Sequence, residues 1–223
     1  MQNDVAMTIT MMQGKFITFE GSEGAGKTTQ ITKLASFLEA NGIDVVITRE
    51  PGGTPLGEKI RALLLNDEMD EVTELLLMFA ARREHWITKI KPALDAGTWV
   101  ISDRFTESSF AYQGFARGLS LEMIETLERI TLEKPRADLT FWFDIPVEVG
   151  LKRARSRDVT DRFEQEKITF FEKVNAGFKA LYESGERPIV RIDATQTISE
   201  IEADIKRGID ARFPRALGVA HES

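Results

Sequence analysis

The chain contains no cysteine and only two histidines among its 223 residues. The absence of cysteine excludes disulfide bonds and thiolate metal sites, and it suits the reducing cytoplasm, where we expect the protein to be located. The histidines, His85 and His221, do not form a metal-binding pattern, and His221 falls in a polar tail. The sequence therefore gives no reason to expect a metal held by cysteine or histidine.

Long apolar runs and an excess of positive charge are also missing. No apolar run approaches the roughly 18 to 20 residues that span a bilayer, so we expect a soluble protein without a membrane partner. The formal net charge is −7, which argues against a protein that coats nucleic acid or anionic lipid. A local basic site remains compatible with this charge.

The first residues lack the basic region and the unbroken apolar stretch of a signal peptide. We expect residues 1–13 to be a disordered extension and residues 216–223 to be a polar tail. Between them, residues 14–215 contain no linker-like or low-complexity stretch, and 42% of the chain is hydrophobic. One domain with a sizeable core is the natural expectation.

Short runs of β-branched and aromatic residues alternate with helical stretches along the chain, a pattern typical of a parallel sheet covered on both faces. The predicted strands are 16–20, 44–48, 99–102, 139–144 and 189–193. The predicted helices are 27–40, 73–96, 121–132, 147–155, 164–184 and 198–213. Pro92 should kink or divide the second helix. The prediction is a doubly wound α/β fold with a five-stranded parallel sheet, whose ligands bind at the carboxyl ends of the strands.

Residues 21–28 read GSEGAGKT and match the phosphate-binding pattern GxxxxGK[ST], with a predicted strand before and a helix after. A chance glycine-rich turn is the alternative, but the flanking elements make it much the poorer interpretation. Lys27 is expected to contact the β and γ phosphates of ATP, and the Thr28 hydroxyl to bind Mg²⁺. The predicted ATP-binding residues are Gly21, Ser22, Glu23, Gly24, Ala25, Gly26, Lys27, Thr28 and Thr29.

Asp103 and Arg104 follow the third predicted strand. An aspartate here can hold Mg²⁺ directly or through water, and an arginine can lie against the phosphates during transfer. Taken alone, the pair would more often be a surface ion pair. Beside a phosphate-binding loop, it favours a phosphotransferase.

A basic cluster, LKRARSRD at 151–158, places four cations within six residues. Arg153 and Arg157 share a helix face. A solvated helix end is the ordinary interpretation of such a cluster. In a protein with a phosphate-binding loop, we favour a mobile arginine-rich lid over ATP, at about 151–164.

The chain resembles the thymidylate kinase family from residue 15 onward. The matching segments are FEGSEGAGKTT (19–29), TREPGGTPLGEKIR (48–61), FAARREH (79–85) with KPAL (91–94), and SDRFTESSFAYQGFARG (102–118). The last segment is the most specific, because DR followed by SSxAYQG is the signature of that family. The resemblance implies a P-loop nucleoside monophosphate kinase fold and transfer of a phosphoryl group from MgATP to dTMP. It also implies a homodimer.

The resemblance further implies roles for individual residues. Arg61 and Arg104 would hold the dTMP phosphate, while Arg82, Ser109 and Gln113 would contact the thymine edge. Tyr112 would pack where a ribose 2′-hydroxyl would sit, and Glu50 would shape the acceptor side. Catalytic roles are expected for Lys27, Arg104, Arg153 and Arg157, the last as the lid arginine of the bacterial type. The expected metal-binding residues are Thr28, Asp103 and Glu23.

One position departs from the family pattern, which places phenylalanine one helical turn before the arginine that contacts thymine. That position here is Met78, followed by Phe79. We favour Met78 paired with Arg82 over Phe79 paired with Arg83, because the distance from Arg82 to KPAL matches the family. Ordinary core packing is the alternative for both Met78 and Phe79.

The sequence is also compatible with two other functions. One is a kinase acting on another nucleoside monophosphate or on a deoxynucleoside. The other is a P-loop ATPase that acts as a switch on a macromolecular partner, although this leaves the SSxAYQG segment without a role.

Overall fold

The central strand of the fold is β1 (Phe16–Glu20), and all five of its residues are buried. A computed structural model describes residues 13–132, 136–154, 162–163 and 166–214. In these residues a five-stranded sheet has the order β2-β3-β1-β4-β5, and each neighbouring pair is parallel. The other strands are β2 (Val45–Arg49), β3 (Trp99–Asp103), β4 (Leu139–Asp144) and β5 (Ile189–Asp193). The predicted α/β fold with a five-stranded parallel sheet is confirmed.

Two strand boundaries differ from prediction. β2 begins and ends one residue later than 44–48, and β3 extends to Asp103. The reason is the pairing of Arg49 with Asp103, which continues the parallel ladder by one step. This step brings Asp103 to the carboxyl edge of the sheet, next to the phosphate-binding loop.

The helices cover both faces of the sheet. They are α1 (Lys27–Ala40), α2 (Pro55–Asn66), α3 (Glu71–His85), α4 (Lys91–Asp95), α5 (Thr106–Ser109), α6 (Leu121–Thr131), α7 (Val147–Ala154), α8 (Ile168–Glu183) and α9 (Ile198–Arg212). Alternate strand residues point to opposite faces. Ile17 and Phe19 pack with α1 and α9, whereas Phe16 packs with Trp86 and Phe105 on the other face. β1 is thus buried on both sides.

Pro92 divides the second predicted helix. α3 ends at His85, a π-helical stretch spans Trp86–Ile90, and α4 begins at Lys91. The amide of Lys91 donates to the carbonyl of Trp86, five residues back. This wider turn accommodates a proline that has no amide hydrogen and would clash with a regular turn.

Two helical stretches were not predicted. α2 begins after Thr54, whose side-chain oxygen accepts a hydrogen bond from the Gly57 amide at 3.0 Å, and Pro55 stands at its first position. Thr-Pro is a recognisable helix start, so this sequence signal was available. The second stretch is α5 with a π-helical continuation at Phe110–Ala116. No simple periodicity predicts a π-helix.

The remaining helix predictions agree within a residue or two, except that α8 begins at Ile168. Residues 164 and 165, where its start was predicted, lie outside the described residues. So does most of the expected lid at 151–164, the tail at 216–223, and the expected extension apart from residue 13. None of the described helices is both long and apolar enough to cross a bilayer.

Candidate active site

The phosphate-binding loop joins the carboxyl end of β1 to the first turn of α1. Gly24 has a positive φ of 72°, and a Cβ there would lie 2.1 Å from the carbonyl oxygen of Gly150 in α7. Only glycine fits this close approach. Gly26 precedes α1 in the left-handed conformation, and no side chain among the described residues caps that helix end. The first amides of α1 are thus available to an anion.

Lys27 lies under this loop and is buried. Its Nζ donates to the carbonyl oxygens of Gly21 and Ser22 at 3.2 and 3.3 Å, and it lies 3.9 Å from Asp103 Oδ1. Burial, and next the charge of Arg104, lower the pKa of Lys27, while Asp103 and nearby glutamates oppose the change. The carbonyl contacts are long, so phosphate oxygens would be better acceptors for the same ammonium group.

Arg104 stands at the junction between the loop and the rest of the site. It has a positive φ of 72°, the only such value among the described non-glycine residues. Its Nη1 donates to Gly21 O at 2.8 Å and to Ser108 Oγ at 3.2 Å, and its Nη2 bonds Glu23. A strained backbone at this position holds the guanidinium toward the loop, as is common at functional sites.

Glu20 holds the turn that carries Arg104. Its carboxyl oxygens accept hydrogen bonds from the Phe105 amide at 2.7 Å and the Ser108 hydroxyl at 2.6 Å. Burial, followed by the charge of Glu107, raises the pKa of Glu20 to about 7, against the opposing effects of Ser108, Arg104 and Phe105.

Asp103 carries a polar atom that is suited to a cation. Its Oδ1 is buried and accepts no hydrogen bond from any residue in the described part of the chain. Asp103 borders the same cavity as Thr28 and Glu23, the other two expected metal-binding residues. No group of three or more histidine, cysteine or acidic residues within the described ranges could hold a metal by itself. A divalent cation here would need oxygens from a ligand as well.

Arg82 lies on α3 and is almost fully buried, with 2% of its surface exposed. Its Nε donates to Glu50 at 2.7 Å, its Nη1 to Ser109 Oγ at 2.9 Å, and its Nη2 to the Phe105 carbonyl at 3.0 Å. Burial alone would raise the pKa of Glu50, but Arg82 and His85 outweigh it, so that pKa is held below its usual range. The guanidinium is therefore held in one orientation at the cavity.

Gln113 and Tyr112 lie on the π-helical stretch after α5. Gln113 Nε2 donates to Glu74 Oε1 at 2.8 Å. The guanidinium of Arg104 lies 5.1 Å from the Tyr112 ring centre, and that ring packs edge-on against Phe163, Phe170 and Phe178. The Tyr112 hydroxyl is buried without a hydrogen-bond partner among the described residues. Tyr112 is thus held as a rigid part of the cavity surface.

These groups share one cavity of about 1050 Å³. A single drug-sized ligand typically occupies a pocket of about 300–1,000 Å³, so this volume is large for one small molecule. The predicted site residues that line it are Glu23, Gly24, Ala25, Gly26, Lys27, Thr28, Thr29, Glu50, Arg61, Met78, Arg82, Asp103, Arg104, Ser109, Tyr112 and Gln113. The phosphate-binding loop and the Arg82 region therefore open onto the same space.

Comparison with known proteins identifies the family. The sequence model of thymidylate kinase matches residues 19–205. The chain belongs to the thymidylate kinase family. The thymidylate kinase of Alkalilimnicola ehrlichii is 51% identical over 211 residues, covering 93% of this chain and 97% of that protein. The thymidylate kinase of Teredinibacter turnerae is 47% identical over 203 residues, covering 90% and 99%.

The fold comparison agrees. The crystal structure of thymidylate kinase from Ehrlichia chaffeensis superimposes with a TM-score of 0.73 and 34% sequence identity, covering 89% of this chain and 99% of that one. The resemblance inferred from the sequence motifs is confirmed, and so is the fold that it implied.

Some of the predicted site residues of this thymidylate kinase family member lie outside the cavity. Phe79 is buried with Leu75, Phe110 and Ile124. Its ring lies 4.6 Å from the Arg82 guanidinium, so it supports that arginine from behind, whereas Met78 borders the cavity. Gly21 and Ser22 do not border it, although their carbonyls bond Lys27.

Of the two expected lid arginines, Arg153 lies within the described residues and Arg157 does not. Arg153 Nη1 donates to the carbonyl of Ala194, beyond the end of β5, at 3.3 Å, and Arg153 does not line the cavity. Arg157 lies outside the described residues. Their catalytic roles stay predictions.

The sequence did not predict a role in the site for two buried residues of this thymidylate kinase family member, His85 and Glu74. His85 joins Thr48 to Glu50, with contacts of 2.7 Å at Nε2 and 3.0 Å at Nδ1. Glu74 contacts Gln113 from behind the cavity. A signal existed in both cases, because Glu74, Met78 and Arg82 are each four residues apart and His85 is one turn further, on one side of α3.

Proposed function

We propose that this chain transfers the γ-phosphoryl group of MgATP to dTMP, giving dTDP and ADP, in the synthesis of dTTP. The observation that carries the proposal is the shared cavity, with a phosphate-binding loop at one end, buried polar side chains at the other and Arg104 between them. Two nucleotides whose phosphates meet at Arg104 fit this arrangement. Membership of the thymidylate kinase family supports the same reaction.

The donor end is the phosphate-binding loop. The uncapped amides of α1 and the Lys27 ammonium group supply donors and positive potential for the ATP phosphates. Gly21–Gly26 shape the loop, and Thr28 and Thr29 begin the helix on the cavity side. Lys27 would exchange its two carbonyl contacts for phosphate oxygens when ATP binds.

The acceptor end would take dTMP with its phosphate toward Arg104 and Arg61. Arg61 Nη1 donates to the Pro51 carbonyl at 2.9 Å, which holds it at the cavity. Arg82, Ser109 and Gln113 would contact the thymine edge beside Met78. Tyr112 would fill the space that a ribose 2′-hydroxyl needs, and Glu50 would hold Arg82.

Selectivity for thymine would rest on these polar groups. A site that hydrogen-bonds a base edge discriminates by about 10⁴- to 10⁵-fold, whereas a pocket for one methyl group contributes only about 1–3 kcal/mol. The preference for dTMP over dUMP should therefore be weaker than the preference over dCMP.

The Mg²⁺ ion would be held by Thr28 and Asp103, with Glu23 nearby, and by the ATP phosphates. The buried Asp103 oxygen that lacks a hydrogen-bond partner in the described part of the chain fits this use. When bound, Mg²⁺ would offset the negative charge of the ATP phosphates during transfer.

The chain needs no general base for this reaction. The second pKa of a phosphate monoester is about 6, so dTMP already offers an anionic oxygen at neutral pH. Lys27 and Arg104 would align the two phosphates and match the charge on the transferred group. Arg157, and Arg153 if it leaves Ala194, would approach that group from the lid and help to exclude water.

A homodimer in the cytoplasm is the assembly and location that we propose. Exposed apolar side chains on neighbouring helices, including Val72 and Leu76 on α3 and Met123 and Ile130 on α6, provide a surface for a second copy. The cysteine-free composition and the nature of the substrates favour the cytoplasm.

The test is a panel of acceptors incubated with MgATP and the purified chain, with separation of the products. We expect dTDP from dTMP, a smaller yield from dUMP, and little product from dCMP, dGMP or AMP. Phosphorylation of thymidine itself would indicate a nucleoside kinase. ATP hydrolysis that is indifferent to dTMP and stimulated by DNA or protein would indicate a switch ATPase and refute the proposal.

A further inference from the structure

Glu74 is a buried carboxylate that lies behind the cavity, with 1% of its surface exposed. Its Oε2 accepts from Arg162 Nη2 at 2.6 Å and from Arg117 Nη2 at 3.4 Å. Its Oε1 accepts from Gln113 Nε2 at 2.8 Å and from Arg117 Nε at 3.5 Å. Two guanidinium groups and one carboxamide therefore meet at a single acidic side chain.

The contact with Gln113 determines which end of that carboxamide faces the cavity. The oxygen and nitrogen of a carboxamide have nearly the same shape, so only hydrogen-bond partners decide its orientation. A carboxylate that contacts two guanidinium groups is an acceptor, so it selects the NH₂ end of Gln113. Gln113 lines the cavity. With its NH₂ group bonded to Glu74, its carbonyl oxygen is the polar atom that can accept a hydrogen bond from a ligand.

Thymine and cytosine differ in the groups that they present to such an acceptor. Thymine has a hydrogen-bond donor at N3, whereas cytosine has an acceptor at N3 and an amino group at C4. An acceptor at Gln113 matches thymine N3–H and repels cytosine N3. An inverted carboxamide would reverse this preference.

We propose that Glu74 is a positioning residue that fixes the orientation of the Gln113 carboxamide and so makes the acceptor site favour thymine over cytosine. The inference rests on the proposed function, because it requires the base of dTMP to lie against Gln113. Glu74 does not border the cavity, so it would act on the bound base only through Gln113. Arg117 and Arg162 hold the carboxylate in place.

The test compares Glu74→Gln with the unaltered protein by kcat/KM for dTMP and for dCMP. The substituted side chain has nearly the size of the original but offers an NH₂ group, so Gln113 is free to invert. We expect the ratio of the dTMP value to the dCMP value to fall by about 10- to 100-fold, a partial loss of the discrimination that a hydrogen-bonding site supplies. Glu74→Asp, which keeps an acceptor, should retain more of the ratio.

The matched control is Glu128→Gln. Glu128, on α6, is also a buried glutamate bonded to an arginine, Arg187, at 3.0 and 3.1 Å, but that arginine contacts Thr106 and Glu107 rather than Gln113. We expect this variant to lose stability and to keep the acceptor ratio. An equal fall of the ratio in both variants, or an unchanged ratio in Glu74→Gln, overturns the inference.

A measurement on the unaltered protein covers the case in which Glu74→Gln does not fold. The side-chain amide protons of Gln113, assigned by comparison with Gln113→Met, should stay protected from solvent exchange with and without dTMP. Nuclear Overhauser contacts between these protons and the thymine ring would overturn the inference. If the unaltered protein does not phosphorylate dTMP, the proposed function fails first and this inference fails with it.

Discussion

The guanidinium group of Arg104 bonds the carbonyl oxygen of Gly21, with 2.8 Å between Nη1 and that oxygen. The contact joins the carboxyl end of β3 to the phosphate-binding loop after β1, two strands that pair side by side. It places a cation between the two ends of the cavity, where the phosphates of the donor and the acceptor would meet.

Arg104→Ala should lower kcat by about 10³-fold or more, because arginine contributes about 10³ to 10⁵ to phosphoryl transfer by matching the charge of the transferred group. Steady-state kinetics with dTMP and MgATP measure this, and circular dichroism checks that the variant remains folded. Arg191→Ala is the control, since Arg191 is an exposed arginine paired with Asp144. Near-normal turnover of Arg104→Ala would refute the assigned role.

Lys27→Ala should lose most turnover while remaining folded, because the ammonium group contacts two carbonyl oxygens of the phosphate-binding loop and would contact the β and γ phosphates. Lys33→Ala on the same helix is the control, since Lys33 is exposed and bonds Glu202. The expectation is contradicted if the two variants have similar kcat values.

Glu20 should make stability depend on pH. Its folded pKa of about 7 lies above the ordinary value of 4.5, so the folded state holds a proton that the unfolded state releases. This contribution is complete below pH 4.5 and is lost as the pH rises through about 7. It is of the order of 3 kcal/mol, since each pKa unit corresponds to about 1.4 kcal/mol.

Denaturant unfolding of the unaltered protein and of Glu20→Gln between about pH 4.5 and 8 tests this expectation. Glutamine resembles the protonated carboxyl group, so the stability of the variant relative to the unaltered protein should increase with pH. Parallel pH profiles of the two proteins would show that Glu20 does not titrate in this range.

His85→Ala should destabilise the fold by about 2–4 kcal/mol, because it leaves the buried Thr48 hydroxyl and one Glu50 oxygen without their partner and opens a cavity. For a chain of this size the melting temperature should fall by roughly 5–15 °C. Differential scanning calorimetry measures the change. His85→Asn, which restores a donor toward Glu50, should lose less, and an equal loss would argue against the hydrogen bond as the cause.

Tyr112→Phe should leave stability within about 1 kcal/mol, because the buried hydroxyl has no partner among the described residues. It should also keep the preference for dTMP over the corresponding ribonucleotide, since the ring fills the space. Tyr112→Ala should lose that preference. Competition between the two acceptors measures it, and a loss in Tyr112→Phe would assign the effect to the hydroxyl.

Much of the fold followed from local patterns. The apolar runs at β1 and β4 have the predicted bounds, because strands that are buried on both faces need continuous apolar residues. The edge strand β5 also has the predicted bounds, from its β-branched run Ile189–Val190 and Ile192. The helix after the phosphate-binding loop also has the predicted bounds, since a glycine-rich turn begins it and Asn41 and Gly42 end it. Pro92 signalled the break at the first π-helical stretch, although not its type. The second stretch, at Phe110–Ala116, had no such signal, because no simple periodicity predicts a π-helix.

By itself, the sequence determined the phosphate-binding loop, the alternation of strands and helices and the family, because these depend on residues that are close together along the chain. Only the tertiary structure decided that Met78 borders the cavity while Phe79 supports Arg82 from the core. It also decided that Arg153 lies at Ala194 and that Glu74 and His85 lie behind the polar end of the cavity. The physical reason is that the positions of Arg153, Glu74 and His85 depend on hydrogen bonds between residues 35 to 41 positions apart. Such partners become neighbours only when the sheet and its helices assemble, and the same assembly decides which side of α3 faces the cavity.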